Sequence, residues 1–228
     1  MVRVGLAMLQ GARHEHIEAL HNAALELNLS LEIVELRKGG QVSEALDALV
    51  LPGGESTAMR KASESEALLP AIYQWMDQHP ERPVLGTCAG AILLASPGEN
   101  RSPYIDVDIS RNAWGRQRQS FEAYVEVDLD VASPASIVQH RGQADQFNHR
   151  ALPVEGATPD SLSTAYHGVF IRAPRFDTSS VKCLAVAHLG EEAVGVIDGS
   201  KLALTFHPEL TGDYRFHRWL LTRAEQTS

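Results

Sequence analysis

Cysteine is scarce in this sequence. The 228-residue chain has two, Cys88 and Cys183, which suggests no disulfide framework, and the strand-like run around Cys183 predicts core packing. Basic residues are also outnumbered, since 20 lysines and arginines stand against 29 aspartates and glutamates. The net charge of −9 argues against a nucleic-acid-binding surface. No apolar run approaches the roughly 20 residues that cross a bilayer, and the apolar start is too short for a signal peptide. We therefore expect a cytoplasmic protein that binds neither nucleic acid nor membrane.

What the chain does contain is an alternation of strand-like and helix-like segments. This alternation is typical of an α/β fold with a mostly parallel central sheet flanked by helices. With 44% hydrophobic residues and no long linker, the chain predicts a single domain over residues 1–228. The first predicted strands cover residues 2–9, 31–36, 48–51 and 84–85, and the first predicted helices cover residues 14–29 and 66–78.

After residue 95 the pattern changes and predicts an antiparallel addition to the sheet. Strands are expected at residues 104–109 and 121–129, with a polar, arginine-rich loop between them. Residues 130–165 are poor in periodic signal, which predicts a surface insertion. The remaining predicted strands cover residues 168–174, 183–189, 193–197 and 202–205, and a helix over residues 214–223 closes the chain.

One short motif, Gly-Thr-Cys-Ala-Gly at residues 86–90, organises the candidate site. It stands between a strand-like run and a helix-like run, so Cys88 is expected on a sharp turn. Glycines on both sides allow close approach of backbone and substrate, and a helix N-terminus favours a thiolate. Free cysteines are more often small buried hydrophobes, so the motif alone does not decide between packing and catalysis.

Other polar motifs stand at the ends of neighbouring predicted strands. Gln10 and Gly11 follow the first strand, and Gly-Gly-Glu-Ser at residues 53–56 follows the third. Ligands of parallel sheets bind beyond the carboxyl ends of strands, so these motifs and Cys88 are expected to converge. The Gly-Gly motif lacks the lysine of a phosphate-binding loop, and His14 and His16 lack further metal ligands at useful spacing. We expect neither a metal nor a cofactor.

A base for the thiol is suggested by His-Pro-Glu at residues 207–209, directly after a predicted strand. A cysteine nucleophile needs a base, and the base needs an acceptor on its other nitrogen. Side chains two residues apart point to one side of an extended segment, so Glu209 can reach the ring of His207. The simpler alternative is a turn in which His207 caps the strand and Glu209 begins a helix.

Together, these motifs resemble those of the class I glutamine amidotransferases. Further stretches are similar to the glutaminase subunit of pyridoxal 5′-phosphate synthase, the PdxT/SNO family, and the resemblance covers most of the chain in order. The departure is the stretch over residues 130–165, which is longer than in bacterial members. The stretches that carry the resemblance lie at residues 9–11 with His16, 51–57, 86–90, 111–117, 120–122, 168–174 and 206–211.

The resemblance implies the roles of particular residues. It implies a single-domain, flavodoxin-like amidotransferase fold in which Cys88 attacks the glutamine amide, His207 is base and acid, and Glu209 orients His207. It also implies that the backbone N–H groups of Gly54 and Ala89 stabilise the oxyanion. The residues implied to hold L-glutamine are Gly54, Glu55, Ser56, Arg111, Ile171 and Arg172.

The resemblance implies that the product ammonia passes to a pyridoxal 5′-phosphate synthase subunit as partner. Two alternatives stay open at this stage. One is a glutaminase subunit that serves another synthase, against which the stretches at residues 111–122 and 168–174 argue. The other is an inactive regulatory binding protein of the same fold, against which the intact Cys88, His207 and Glu209 argue.

Overall fold

The computed structural model describes residues 1–98, 101–111, 113, 120–135 and 164–227. Strands and helices alternate in the first half of the chain, and strands dominate the second half. In chain order the elements are β1 (Val2–Ala7), α1 (Arg13–Leu27), β2 (Leu31–Leu36), β3 (Ala48–Leu51), α2 (Ser56–Glu64), α3 (Leu68–Gln78), β4 (Val84–Thr87), α4 (Ala89–Ala95), β5 (Ile109–Ser110), β6 (Ser120–Val127), β7 (Ala165–Ile171), β8 (Arg175–Phe176), β9 (Leu184–Leu189), β10 (Glu192–Asp198), β11 (Lys201–Leu204) and α5 (Arg215–Thr227).

Nine of these strands form one sheet in the order β2-β1-β3-β4-β11-β10-β9-β6-β7. The first five strands of that order run parallel to one another. From β11 onward each neighbouring pair is antiparallel. A separate two-stranded sheet pairs β5 with β8. The α/β class with a mostly parallel sheet and an antiparallel addition is therefore confirmed.

Helices cover both faces of the sheet because its parallel strands carry apolar side chains in both directions. In β3, Ala48 and Val50 pack into one core, while Leu49 and Leu51 pack into the other. The first core lies against α1 and α5, and the second lies against α2, α3 and α4. Near-continuous apolar runs are the sequence signature of strands buried on both faces. None of the helices in the described ranges is long and apolar enough to cross a membrane.

Helix α2 was not expected from the sequence. Its inward positions include Ser56 and Ser63 as well as Met59, so the apolar periodicity that marks most buried helix faces is weak. The helix begins because the Glu55 carboxylate accepts hydrogen bonds from the N–H groups of Thr57 and Ala58, at 2.9 and 2.6 Å. It carries Glu55 and Ser56 to the edge of the sheet where β3 ends.

The strand predicted at residues 104–109 is wrong for most of its length. Ile105 and Val107 are buried in alternation, as in a strand. However, the N–H of Val107 donates to the carbonyl oxygen of Ile105 at 3.0 Å, so the backbone turns locally. Only Ile109–Ser110 pairs with another strand. The prediction was wrong because apolar residues alternate with aspartates here, as in a strand, although the segment has no pairing partner among the described residues.

The surface insertion predicted over residues 130–165 lies mostly outside the described residues. At its beginning, the N–H of Ala135 donates to the carbonyl oxygen of Glu26 at 2.6 Å. Nearby, Nε of Arg218 donates to the carbonyl oxygen of Ala132 at 3.3 Å. At its end, Ala165 already belongs to β7. The surface location of the insertion and the single-domain organisation stay predictions.

Candidate active site

Cys88 occupies a sharp turn between β4 and α4. Its φ of 49° and ψ of −104° are a conformation that a residue with a Cβ adopts at a cost of about 1–3 kcal/mol. The N–H of Cys88 donates to the carbonyl oxygen of Leu204 at 2.8 Å, which ties the turn to β11. The side chain is buried, and its Sγ lies 3.9 Å from the carbonyl oxygen of Ile171. The turn thus holds the thiol at the edge where the parallel strands end.

The two glycines that flank Cys88 are required by close packing. A Cβ on Gly90 would lie 1.9 Å from the carbonyl oxygen of Leu51, and a Cβ on Gly86 would lie 2.9 Å from the backbone of Gly90. Both distances are shorter than real Cβ contacts with backbone atoms. The glycines therefore let α4 pack directly on β3 and β4, and this packing fixes the turn that bears the thiol.

His207 stands beside the Cys88 turn because β11 pairs with β4. Its Nδ1 donates to Oε1 of Glu209 at 2.7 Å. The spacer is not extended as expected, since Pro208–Leu210 forms a short 3-10 turn, yet Glu209 still reaches the ring. A Cβ on Gly53 would lie 2.4 Å from Cε1 of His207 and 3.3 Å from the Cβ of Cys88. The missing side chain of Gly53 therefore leaves the space that the imidazole fills beside the thiol.

His207 and Glu209 favour opposite charges on each other. Burial opposes charge on His207, but the Glu209 carboxylate and a hydrogen bond with Cys88 outweigh burial and raise the pKa of His207 to about 10. Burial also opposes charge on Glu209, but His16 and His207 beside it lower the pKa of Glu209 to about 2. At neutral pH the pair is therefore an imidazolium and a carboxylate.

A cavity of about 510 Å³ opens in front of Cys88 and His207. The strand-end motifs converge on it, as expected for a sheet of this kind. Gly54, one of the two predicted oxyanion donors, lines the cavity and has a φ of 146°. Ala89, the other predicted donor, directly follows Cys88 and is the first residue of α4. All six residues predicted to hold the substrate line the cavity: Gly54, Glu55, Ser56, Arg111, Ile171 and Arg172.

The cavity presents charges of both signs. Arg111 and Arg172, which carry guanidinium groups, and Glu55, which carries a carboxylate, are among the residues that line it. Nη1 of Arg111 donates to Oγ1 of Thr57 at 2.6 Å, so Arg111 reaches α2. Hydrogen bonds from the N–H groups of Thr57 and Ala58 lower the pKa of Glu55, so this carboxylate is ionised at neutral pH. A small zwitterion finds both counter-charges here.

Sequence reasoning missed part of the site. It did not foresee that Gly53 makes room for the His207 ring, and it gave no role to Glu122, which also lines the cavity. It weighed His16 as a metal ligand and counted it in the family resemblance, but it did not place His16 beside Glu209, from which it lies 3.4 Å away. Among the described residues no group of three or more histidines, cysteines or acidic residues is placed to hold a metal. Asn112 and residues 114–117, which belong to the predicted arginine-rich motif, lie outside the described ranges.

The fold and the site together define the class of glutamine amidotransferases. A solved structure described as a glutamine amidotransferase matches with a TM-score of 0.70 and 33% identity, over 97% of this chain and 98% of its own. The glutaminase domain of Trypanosoma brucei CTPS, with bound acivicin, matches with a TM-score of 0.58 over 100% of this chain and 95% of its own. At 12% identity this second match shows the fold alone.

Within that class, the chain belongs to the SNO glutamine amidotransferase family, whose model matches residues 6–141 and 141–226. A relative from Thermococcus gammatolerans, described as pyridoxal 5′-phosphate synthase subunit PdxT, is 36% identical over 98% of this chain and 100% of its own length. A relative with the same description from Methanosarcina barkeri is 31% identical over 97% of this chain and 98% of its own length. The predicted family is therefore confirmed.

Proposed function

We propose that this chain hydrolyses L-glutamine to L-glutamate and ammonia, and that it supplies the ammonia to a pyridoxal 5′-phosphate synthase subunit for vitamin B6 biosynthesis. The observation that carries the proposal is that Cys88 and His207 line one cavity and that His207 is hydrogen-bonded to Glu209. Membership of the SNO family and the descriptions of the relatives support the choice of substrate and partner. The cytoplasmic location stays a prediction from the sequence.

The reaction follows from the charges at the site. The Cys88 thiolate, paired with the His207 imidazolium, attacks the carbonyl carbon of the glutamine side-chain amide. His207 gives its proton to the leaving nitrogen as the C–N bond breaks, so ammonia departs and a γ-glutamyl thioester remains. His207, now neutral, takes a proton from water, which attacks the thioester. The C–S bond breaks, glutamate leaves, and the thiolate–imidazolium pair is restored.

The residues that line the cavity are proposed to bind different groups of glutamine. In the proposal, Arg111 and Arg172 bind the α-carboxylate of glutamine, because guanidinium groups form strong hydrogen bonds with carboxylates. Glu55 accepts from the α-ammonium, while Ser56 and the backbone of Ile171 complete the wall.

The oxyanion is assigned to backbone donors. The N–H groups of Gly54 and Ala89 stabilise the negative oxygen that forms when Cys88 attacks. Loss of one such donor generally raises the barrier by about 2.7–4 kcal/mol. A side-chain substitution does not remove a backbone N–H group. The contribution of these two donors to the rate therefore depends on the geometry of the backbone.

The partner is expected to control this geometry. Gly11 has a φ of 84° and Gly54 a φ of 146°, and the N–H of Glu55 donates to Oε1 of Gln10 at 3.1 Å. Glycines permit a peptide to reorient at little steric cost, so a synthase that contacts the loop at Gln10 can set the oxyanion donors. A glutaminase that is idle until its partner binds also avoids losing ammonia to solvent.

The test is steady-state ammonia release from glutamine by the isolated chain and by the chain with its cognate synthase. We expect a slow rate for the isolated chain and a clear increase with saturating synthase. A rate that synthase leaves unchanged would favour a free-standing hydrolase. No ammonia under either condition, despite glutamine binding, would favour a regulatory binding protein, and activation by a different synthase would reassign the partner.

A further inference from the structure

Three buried side chains form a connected group beside Glu209, and the proposed reaction gives them no role. His16 on α1, His217 on α5 and Thr87 on β4 are each 0% exposed. Nδ1 of His16 lies 3.0 Å from Nε2 of His217. Nε2 of His16 lies 3.2 Å from Oγ1 of Thr87 and 3.4 Å from Oε2 of Glu209. This histidine cluster, His16 and His217, connects two helices to the acidic member of the site.

Both histidines of the cluster are neutral at neutral pH. Burial lowers the pKa of His16, and burial lowers the pKa of His217 to about 3. Glu209 and His207 also face His16, as does Glu15 from its own helix. A neutral imidazole has one donor and one acceptor nitrogen, so the two rings can share a hydrogen bond in only two ways.

The surroundings of the cluster favour one of these arrangements. Within the described residues, Nδ1 of His217 and Oε2 of Glu209 have no hydrogen-bond partner of ordinary geometry. If His16 carried its proton on Nδ1, it would donate to Nε2 of His217, and His217 would carry its own proton on Nδ1, where it has no partner. The unprotonated Nε2 of His16 would then turn a lone pair toward the Glu209 carboxylate. If His16 carries its proton on Nε2, His217 donates from Nε2 and the His16 N–H faces Glu209. Because an unpaired buried N–H and a lone pair that faces a carboxylate are both costly, the second arrangement is favoured.

We propose that His16, with its proton held on Nε2 by His217, is a positioning residue that donates to Oε2 of Glu209 and so fixes the carboxylate for His207. Glu209 accepts from His207 through Oε1. A carboxylate held at one oxygen can rotate, whereas one held at both oxygens presents a fixed acceptor to the imidazolium. The contact at 3.4 Å is long for a hydrogen bond, and the same nitrogen lies 3.2 Å from Oγ1 of Thr87, so the N–H of His16 is shared between the two oxygens. The inference rests on the proposed function only for its effect on turnover.

The wild-type protein tests the tautomer directly. In a sample labelled with ¹⁵N-histidine, we expect the NMR signals of His16 to show a protonated Nε2 and an unprotonated Nδ1 at neutral pH. A proton on Nδ1 of His16 would overturn the proposal. This measurement needs neither glutamine nor a synthase, so it stands even if the proposed substrate or partner is wrong.

Two substitutions of His16 test the positioning role. His16→Gln keeps an N–H near the place of Nε2, while His16→Leu removes the donor and keeps a similar volume. Without the donor Glu209 is less well held, so the NMR titration of the His207 imidazolium should move to lower pH in His16→Leu and stay near the wild-type position in His16→Gln. Asn22→Ala is the control, because Nδ2 of Asn22 on α1 donates to the hydroxyl of Tyr214, the residue before α5, at 3.0 Å.

Turnover gives the second measurement. General acid–base catalysis contributes about 10²–10⁴-fold, and we expect His16→Leu to lower kcat about tenfold with little change in KM. His16→Gln and Asn22→Ala should stay close to the wild type. An unchanged His207 titration in His16→Leu, or equal losses in His16→Leu and His16→Gln, would reduce His16 to a structural role. If wild-type protein released no ammonia with its synthase while the His207 titrations moved as expected, the proposed function would fail and the positioning role would remain.

Discussion

At the scale of single residues, the proposed reaction depends on the positive charge of His207, which the Glu209 carboxylate stabilises. In the proposed reaction the imidazolium is the proton donor for the leaving ammonia, and it exists at neutral pH because the pKa of His207 is raised to about 10. Since a raised pKa keeps the proton on His207 up to that value, the donor is present below about pH 10 and is lost as the pH rises through it. Activity of the synthase complex should therefore fall on the alkaline side as His207 loses its proton.

Glu209→Gln tests this dependence. The amide keeps the shape of the side chain but removes the negative charge that raises the pKa of His207. The alkaline fall in kcat should therefore move to lower pH, and kcat at neutral pH should also fall because less imidazolium is present. The measurement is a pH profile of ammonia release by wild type and variant with the cognate synthase. An alkaline limb at the same pH in both proteins would show that Glu209 does not control the charge of His207.

At the scale of elements, the position of the thiol depends on how closely α4 packs on β3. The distance of 1.9 Å between a Cβ on Gly90 and the carbonyl oxygen of Leu51 leaves no room for alanine unless the helix moves. Because Cys88 is the residue before α4, a shift of this helix also shifts the nucleophile. Fold stability and site geometry are therefore coupled at one glycine.

Gly90→Ala should lower both stability and activity. Overpacking of a well-filled core typically costs about 1–3 kcal/mol in the free energy of unfolding, so a loss of at least this size is expected in chemical denaturation. Gly40→Ala is the matched control, because a Cβ at Gly40 would have no neighbour within 4 Å. Wild-type stability in Gly90→Ala would contradict the close packing of α4 on β3.

The elements also show what the sequence can and cannot predict. The turn at Cys88 was predicted because a glycine-flanked segment between a strand and a helix is a local pattern, and the contact of His207 with Glu209 because they are two residues apart. Helix α2 was missed because serines occupy part of its buried face. The segment at residues 104–108 was assigned to a strand because apolar and acidic residues alternate there, while pairing depends on a distant partner.

At the scale of the whole molecule, the site is assembled from segments that are far apart in sequence. Cys88 lies on the turn after β4, and His207 follows β11, its parallel neighbour. The histidine cluster joins His16 and His217, which are 201 residues apart and close together only because α1 and α5 pack on one face of the sheet. No local spacing in the sequence predicts such a contact. The position of His16 beside Glu209 was therefore not predicted.

In the proposed reaction Cys88 forms a covalent thioester with the glutamyl group of glutamine. The most direct measurement is mass spectrometry of the chain quenched in acid during turnover with glutamine and the cognate synthase. A γ-glutamyl adduct is expected on the peptide that contains Cys88, with Cys183 unmodified as the internal control and no adduct in Cys88→Ala. Cys88→Ala should also release no ammonia while remaining folded. Ammonia release by Cys88→Ala at the wild-type rate would contradict the account.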